Sequence, residues 1–240
     1  MKFNKNQQKI LEKIRTNSKF LSEYGEIIQG ITPYDSYSGQ SKEIIQKKAY
    51  HFDHKANDTC GKWLDGKNIG RYSLNWENRW LSYGPWLAAP REERFFNGPR
   101  LLFREIPGKF KRIQSVFTEE EFYYGHSITP FKPHKSTESE LKFILAIVNS
   151  TLVSWYANLK LPNFGKEIFP KLNPNDIKDI PIPKCSNDKK VKIEKVVELI
   201  LKLKKQDSSS DTSNLESQID KLVYELYGLN EDEIQIIENK

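Results

Sequence analysis

Between Lys62 and Phe131 the chain is never far from a glycine or a proline. Gly66, Gly70, Gly84, Pro85, Pro90, Gly98, Pro99, Pro107, Gly108, Gly125 and Pro130 leave only short uninterrupted runs, and those runs are dense in aromatics. The interior of an ordinary helix tolerates proline badly and glycine poorly. This region must therefore fold as short strands separated by turns. Residues 100–106 (RLLFREI) are the plainest strand, and residues 110–117 (FKRIQSVF) are its expected neighbour across a Pro107-Gly108 turn. The expectation is a twisted, partly antiparallel sheet.

The period changes on either side. Residues 3–15 carry Phe3, Ile10, Leu11 and Ile14 at helical spacing. Residues 21–30 (LSEYGEIIQG) predict a strand turning at Gly30, and residues 32–41 (TPYDSYSGQS) a loop. From 137 to 159, Leu141, Ile144, Leu145, Val148, Leu152 and Trp155 predict one helix, with Thr137 and Glu140 spaced as a capping box. Residues 163–184, broken by four prolines, predict an extended segment with one helical turn. Residues 188–205 predict a lysine-laden helix, 206–213 a polar linker, and Leu215, Ile219, Leu222, Val223 and Leu226 a second helix closed by Gly228. Asn230 and Glu233 can cap a last one. The expected fold class is α+β: a twisted mixed or antiparallel sheet with packed helices, followed by a C-terminal helical hairpin. The expected domains are a connector at 1–20, a main unit at 21–185, and a hairpin spacer or docking element at 186–240.

Hydrophobic residues make up 37% of the 240, enough for a packed core. No apolar run approaches the roughly 18 residues of a membrane span, and the start, MKFNKNQQKILEKIR, lacks the apolar stretch of a secretory signal. Cys60 and Cys185 stand in no partner motif, as expected of thiols in a reducing compartment. A cytoplasmic location is expected. Charge is uneven. Residues 60–112 hold eleven basic residues against five acidic ones, and residues 206–240 hold nine acids against Lys221 and Lys240. The first region is suited to a polyanion; the acidic end argues against one.

Catalytic patterns are mostly missing. There is no glycine-rich dinucleotide loop, no phosphate-binding loop, and no methyltransferase tetrapeptide of Asn or Asp, Pro, Pro and an aromatic; Asn173-Pro174-Asn175 is the nearest fragment. His51 and His54 lack a third metal ligand, and His126 and His134 lack catalytic partners. Glu140-Leu141-Lys142 is half of a nuclease motif, on a predicted helix with no Pro-Asp before it. No metal and no active site are expected in this chain. The positive signal is aromatic and basic interleaving: Lys62, Trp63, Lys67, Asn68, Arg71, Tyr72, Arg79, Trp80, Tyr83, Trp86, Arg91 and Arg94. Arginine grips guanine edges and phosphates, and asparagine reads adenine. The same residues also suit a small aromatic core under a solvated arginine face, and composition leaves both open.

Five stretches carry a resemblance in a fixed order. They are residues 64–72 (LDGKNIGRY), 80–96 (WLSYGPWLAAPREERFF), 98–106 (GPRLLFREI), 145–154 (LAIVNSTLVS) followed by 169–183 (FPKLNPNDIKDIPIP), and 219–237 (IDKLVYELYGLNEDEIQII). Together they span most of the chain. The sequence resembles the TaqI-like C-terminal specificity domain of adenine-specific DNA methyltransferases, including type IIG restriction-modification enzymes. The resemblance implies sequence-specific recognition of double-stranded DNA, with S-adenosylmethionine and methyl transfer belonging to a catalytic region in cis or in trans. That region is not in this chain. It is therefore expected to be a piece of a longer protein or a separate specificity polypeptide, and its lysine-rich start fits a truncation.

On this resemblance the expected DNA-contacting residues are led by Lys67 and Arg71. Arg91 and Arg94 follow in a loop, Arg100 and Arg104 on one strand face, and Lys109, Lys111 and Arg112 along the backbone; Lys62, Asn68 and Arg79 complete the basic region. Tyr34, Tyr37 and Gln40 in the 32–40 loop are expected to vary base readout. Asn149 and Ser150 are expected to be structural. The rival expectations are a protein-interaction module acting through the helical tail, and a nuclease acting through Glu140.

Overall fold

The computed structural model describes residues 4–16, 18–135 and 137–238; Phe3 of the expected first helix lies outside them. The helices are α1 (Lys5–Thr16), α2 (Lys42–Lys47), α3 (Glu138–Asn149), α4 (Thr151–Lys160), α5 (Pro174–Lys178), α6 (Asn187–Gln206), α7 (Ser213–Leu226) and α8 (Glu231–Glu238). The strands are short, as the glycine and proline spacing requires. They are β1 (Ser18–Phe20), β2 (Gly25–Ile27), β3 (His51–Phe52), β4 (Cys60–Leu64), β5 (Ile69–Gly70), β6 (Ser73–Leu74), β7 (Trp80–Ser82), β8 (Arg100–Arg104), β9 (Ser115–Thr118), β10 (Tyr123–Tyr124), β11 (Ile128–Pro133) and β12 (Pro181–Pro183). The architecture is the expected α+β one.

One sheet divides the molecule. It is antiparallel throughout, in the order β2-β11-β8-β9, with Leu102 opposite Pro130 on one side and Val116 on the other. Strand side chains alternate between faces. Leu101, Phe103 and Phe131 enter a core shared with the helices, whereas Leu102, Val116 and Ile128 enter a second core under a β-rich lobe. β8 is thus buried on both faces, which explains its unbroken apolar run. Each such side chain contributes about 1.5–3 kcal/mol through burial. The lobe is a second sheet, β10-β4-β7-β3, parallel between β10 and β4 and antiparallel elsewhere. Its edge is closed where Ile31 N donates to Tyr124 O. A Cβ on Gly30 would lie 2.3 Å from Gly125 O, so that approach needs glycine.

Two expectations change. The 21–30 strand shrinks to β2, because Phe20 N donates to Glu23 Oε1 and winds residues 21–23 into a 3₁₀ turn. The single helix over 137–159 is two. Ser150 takes an extended backbone and caps α4 through Val153 N, while Asn149 exchanges two hydrogen bonds with the backbone of Ser115, at 3.0 and 2.9 Å. Short polar side chains prefer such local partners to a helix interior. Both residues therefore fix the fold, one of them by tying α3 to β9. Residues 186–240 contribute to the helix-side core. Ile193, Val197 and Ile200 of α6, Ile219 and Val223 of α7, and Ile237 of α8 belong to the helix-side core, and Tyr227 Oη donates to Pro181 O. α6 and α7 pack together as the expected hairpin, and α6 also lies along α3. Among the described residues no helix is long and apolar enough to cross a membrane.

Candidate nucleic-acid interface

The lobe presents one aromatic and basic face. β7 lies between β3 and β4, so Phe52, Trp80 and Lys62 stand in register on the same side. Trp76 meets Trp80 edge-on at 5.2 Å, and Lys62 Nζ lies 5.2 Å from the Trp76 ring and 5.3 Å from Phe122. On the opposite side His51 packs edge-on against Trp63 at 4.7 Å. The Tyr34 hydroxyl accepts from Tyr50 N and sits 2.8 Å from His51 Nδ1. Burial, with Arg79 nearby, pushes the His51 pKa down to about 4, so the ring is neutral at pH 7. His54 pairs instead with Asp53. Among the described residues no group of three or more His, Cys, Asp or Glu side chains is placed to hold a metal ion.

Seven of the expected DNA-contacting residues are engaged within the protein. Arg100 is 0% exposed and donates to Gly98 O, Glu120 O and Tyr124 Oη. It does not share a solvent face with Arg104: the lobe covers Arg100, whereas Arg104 at the end of β8 is partly exposed. Asn68 is buried, its amide accepting from Asp65 N and donating to Asn75 O. Gln40 braces its loop by donating to Pro33 O and Trp86 O, and Tyr34 stacks on Tyr50. Arg94 makes a forked pair with Glu26 at 2.6 and 2.8 Å, which holds the Glu26 carboxyl below the usual carboxylate range. Arg71 pairs with Glu216 of α7, both 18% exposed, and Arg112 donates to Asn149 O and lies 3.9 Å from Asp220 one turn along. Burial and the adjacent Arg71 lower the Arg112 pKa. The acids of α7 thus neutralise two arginines that the sequence assigns to DNA.

The others are exposed or only partly engaged. Lys62 reaches Glu120 at 3.3 Å, Lys67 pairs with Glu77, and Lys111 donates to Asn158 Oδ1 and Lys166 O. Arg91 lies beside Gly30, donating to its carbonyl. Tyr37 is 97% exposed, projected by a turn that Asp35 closes. Arg79, Arg104 and Lys109 hold no ion pair among the described residues.

These last residues are joined by a run of contacts, the rim. Arg79 and Lys48 flank His51, with Asp65 close by. From Asp65 the chain passes to Gly66, whose N–H donates to Ser127 Oγ, while Ser127 O accepts from Glu105 N, next to Arg104 and the 106–112 loop. The rim's acids are engaged: Asp53 with His54, Asp65 with Trp63 Nε1, Glu77 with Lys67 and Glu105 with Lys171. Lys48, Arg79, Arg104 and Lys109 keep their charge for an external anion. Sequence reasoning missed Lys48. It ends α2 in a left-handed conformation, φ 48°, and is brought to the rim only by the turn into β3.

The model of the TaqI-like C-terminal specificity domain matches residues 61–182, half the chain, and the chain belongs to that family. The match covers β4 through β12, and so most of the rim and the dividing sheet. Among solved structures, MmeI, a Type IIL restriction-modification enzyme determined in complex with DNA, aligns with a TM-score of 0.60 and 13% identity, over 91% of this chain and 35% of MmeI. The chain spans about a third of that protein's length. The type IIG restriction endonuclease BpuSI aligns at TM-score 0.47 and 12% identity over 93% of this chain and 33% of its own. The HsdS subunit from Thermoanaerobacter tengcongensis aligns at 0.43 and 13% over 93% and 51%. No curated protein matches the sequence.

Proposed function

We propose that this chain recognises a short sequence in double-stranded DNA on behalf of an adenine-specific, N6-directed methyltransferase or a type IIG restriction-modification enzyme. The observation that carries this reading is the family match over residues 61–182, which contains Lys67, Arg79, Arg104 and Lys109. Methylating a base requires taking it out of the stack. The duplex must be held in register meanwhile, and a separate module can do that by gripping phosphates and reading neighbouring base edges. The rim supplies cations for the phosphates; Tyr37, Lys62 and Trp80 supply polar and aromatic groups for the grooves. The catalytic region is assigned to a partner in cis or in trans. S-adenosylmethionine goes with it. This chain has neither a glycine-rich loop nor the catalytic tetrapeptide, and no methyl-transfer step is assigned to its residues.

Selecting a randomised duplex pool with the purified chain tests the reading. At physiological salt a motif of a few defined base pairs is expected. Binding without a motif that vanishes as salt rises contradicts it, leaving only a basic surface.

A further inference from the structure

The 32–40 loop is braced along its length, by its own side chains and by a second loop. At its root Thr32 and Ala89 each donate to the other's carbonyl, at 3.0 and 2.8 Å, and Ala88 N donates to Pro33 O. Gln40 closes the far end: its amide donates to Pro33 O and to Trp86 O and accepts from Asp35 N, each at 3.0 Å. Asp35 in turn accepts from Tyr37 N at 2.8 Å, and Ser38 Oγ donates to Asp35 O at 2.6 Å. Tyr34 stacks on Tyr50 at 5.4 Å. Tyr34, Asp35, Ser38 and Gln40 are thus committed to holding the loop. Tyr37 at its tip is 97% exposed. A side chain so exposed adds almost nothing to the core, yet its backbone is fixed by the Asp35 and Gln40 bonds around it. A loop organised in this way loses little conformational freedom when it meets a partner.

The loop is also tied to the rim. The Tyr34 hydroxyl lies 2.8 Å from His51 Nδ1, and Arg79 and Lys48 flank His51. The three residues from Tyr34 to Tyr37 span at most about 11 Å, close to the major-groove width of about 12 Å. A side chain there is within reach of base edges while the rim's cations hold phosphates. The tyrosine ring offers an apolar face, and its hydroxyl both a donor and an acceptor. Neither carries charge, so such a contact discriminates sequence without adding to non-specific attraction.

We infer that Tyr37 determines sequence choice at one base-pair position, through its hydroxyl and ring. Gln40 is the positioning residue that holds it there, by locking the 32–40 loop to the 84–89 segment. The inference rests on the DNA-recognition reading and deepens it: the rim's cations grip any duplex, and the choice at this position falls to Tyr37.

The test repeats the randomised-duplex selection with the full chain and its Tyr37→Ala, Gln40→Met and doubly substituted forms. In Tyr37→Ala the preference at one base-pair position is expected to flatten while the rest of the motif stays. Affinity for the parent's selected duplex should fall about tenfold, the scale of one lost base-pair readout. Salt slope and melting temperature should not move, because neither a charge nor a buried group is removed. Gln40→Met is expected to blur the same position. The double variant should be no worse than Tyr37→Ala, since Gln40 acts through Tyr37. Arg79→Ala should instead weaken every duplex alike, with the motif kept and the slope lowered by about one unit. A Tyr37→Ala chain that selects the parent's motif at every position overturns the assignment. A Gln40→Met chain that melts lower but keeps the full motif makes Gln40 a stabilising residue and overturns its positioning role. A parent chain that binds no duplex, or binds without a motif, overturns the DNA reading itself, and this inference with it.

Discussion

At the scale of single residues, burial decides which cations serve the fold and which face outward. Arg100 lies wholly inside, and its guanidinium donates to two part-buried carbonyls, Gly98 O and Glu120 O, besides bonding Tyr124 Oη. Arg100→Leu leaves those acceptors stranded at about 1–3 kcal/mol each. Chemical denaturation should show a loss of about 2–5 kcal/mol, with DNA affinity of the folded fraction unchanged. Its burial was not legible in the sequence. Alternation places Arg100 and Arg104 on one face, but nothing local says that the lobe covers that face. His51 gives a pH prediction. Its folded pKa is depressed to about 4, so the unfolded chain binds the proton more readily. Stability is intact above the unfolded value near 6.5 and falls as pH drops toward 4. Arg79, Lys48, Asp65 and Tyr34 are the charged and hydrogen-bonding groups around the ring. Melting scans between pH 7 and 4.5 should show a decline that His51→Gln flattens; parallel curves for the two proteins would refute the assignment.

At the scale of elements, α7 is the part whose role differs most from its charge. Glu216 and Asp220, one turn apart, face Arg71 and Arg112 across more than a hundred residues of sequence. Removing Arg71 should therefore loosen α7 rather than weaken DNA binding. A double-mutant cycle on Arg71→Ala and Glu216→Ala is expected to give a coupling of about 1 kcal/mol. The salt slope of DNA binding should hold for Arg71→Ala and fall by about one unit for Arg79→Ala; the reverse pattern would return Arg71 to the interface. Helices were legible in the sequence wherever a 3.6-residue period met a cap. Gly228 with φ 64° and the reciprocal Asn230–Glu233 bonds end α7 and begin α8 as the residues predict. The break at Ser150 was hidden because the apolar spacing runs through it unchanged. The pairing of β8 with β9 was legible from the turn between them, whereas the pairing of α7 with Arg71 and Arg112 required partners no local pattern supplies.

At the scale of the whole molecule, the dividing sheet couples the lobe to the helices, so the tail is structural mass as well as a possible docking element. Cutting the chain after residue 184 removes Ile193, Val197, Ile200, Ile219, Val223 and Ile237 from one core. The truncated protein is expected to lose cooperative unfolding and near-ultraviolet circular dichroism. A truncation that melts like the parent would make the tail a separable domain after all. The central claim is that the lobe's rim meets DNA. Hydrogen–deuterium exchange of the chain with and without a selected duplex tests it most directly. Protection is expected around residues 46–52, 65–70, 77–80 and 104–112, with residues 213–238 unchanged. Protection confined to α6 or to residues 213–238, with the rim exchanging as it does in free protein, would contradict the account.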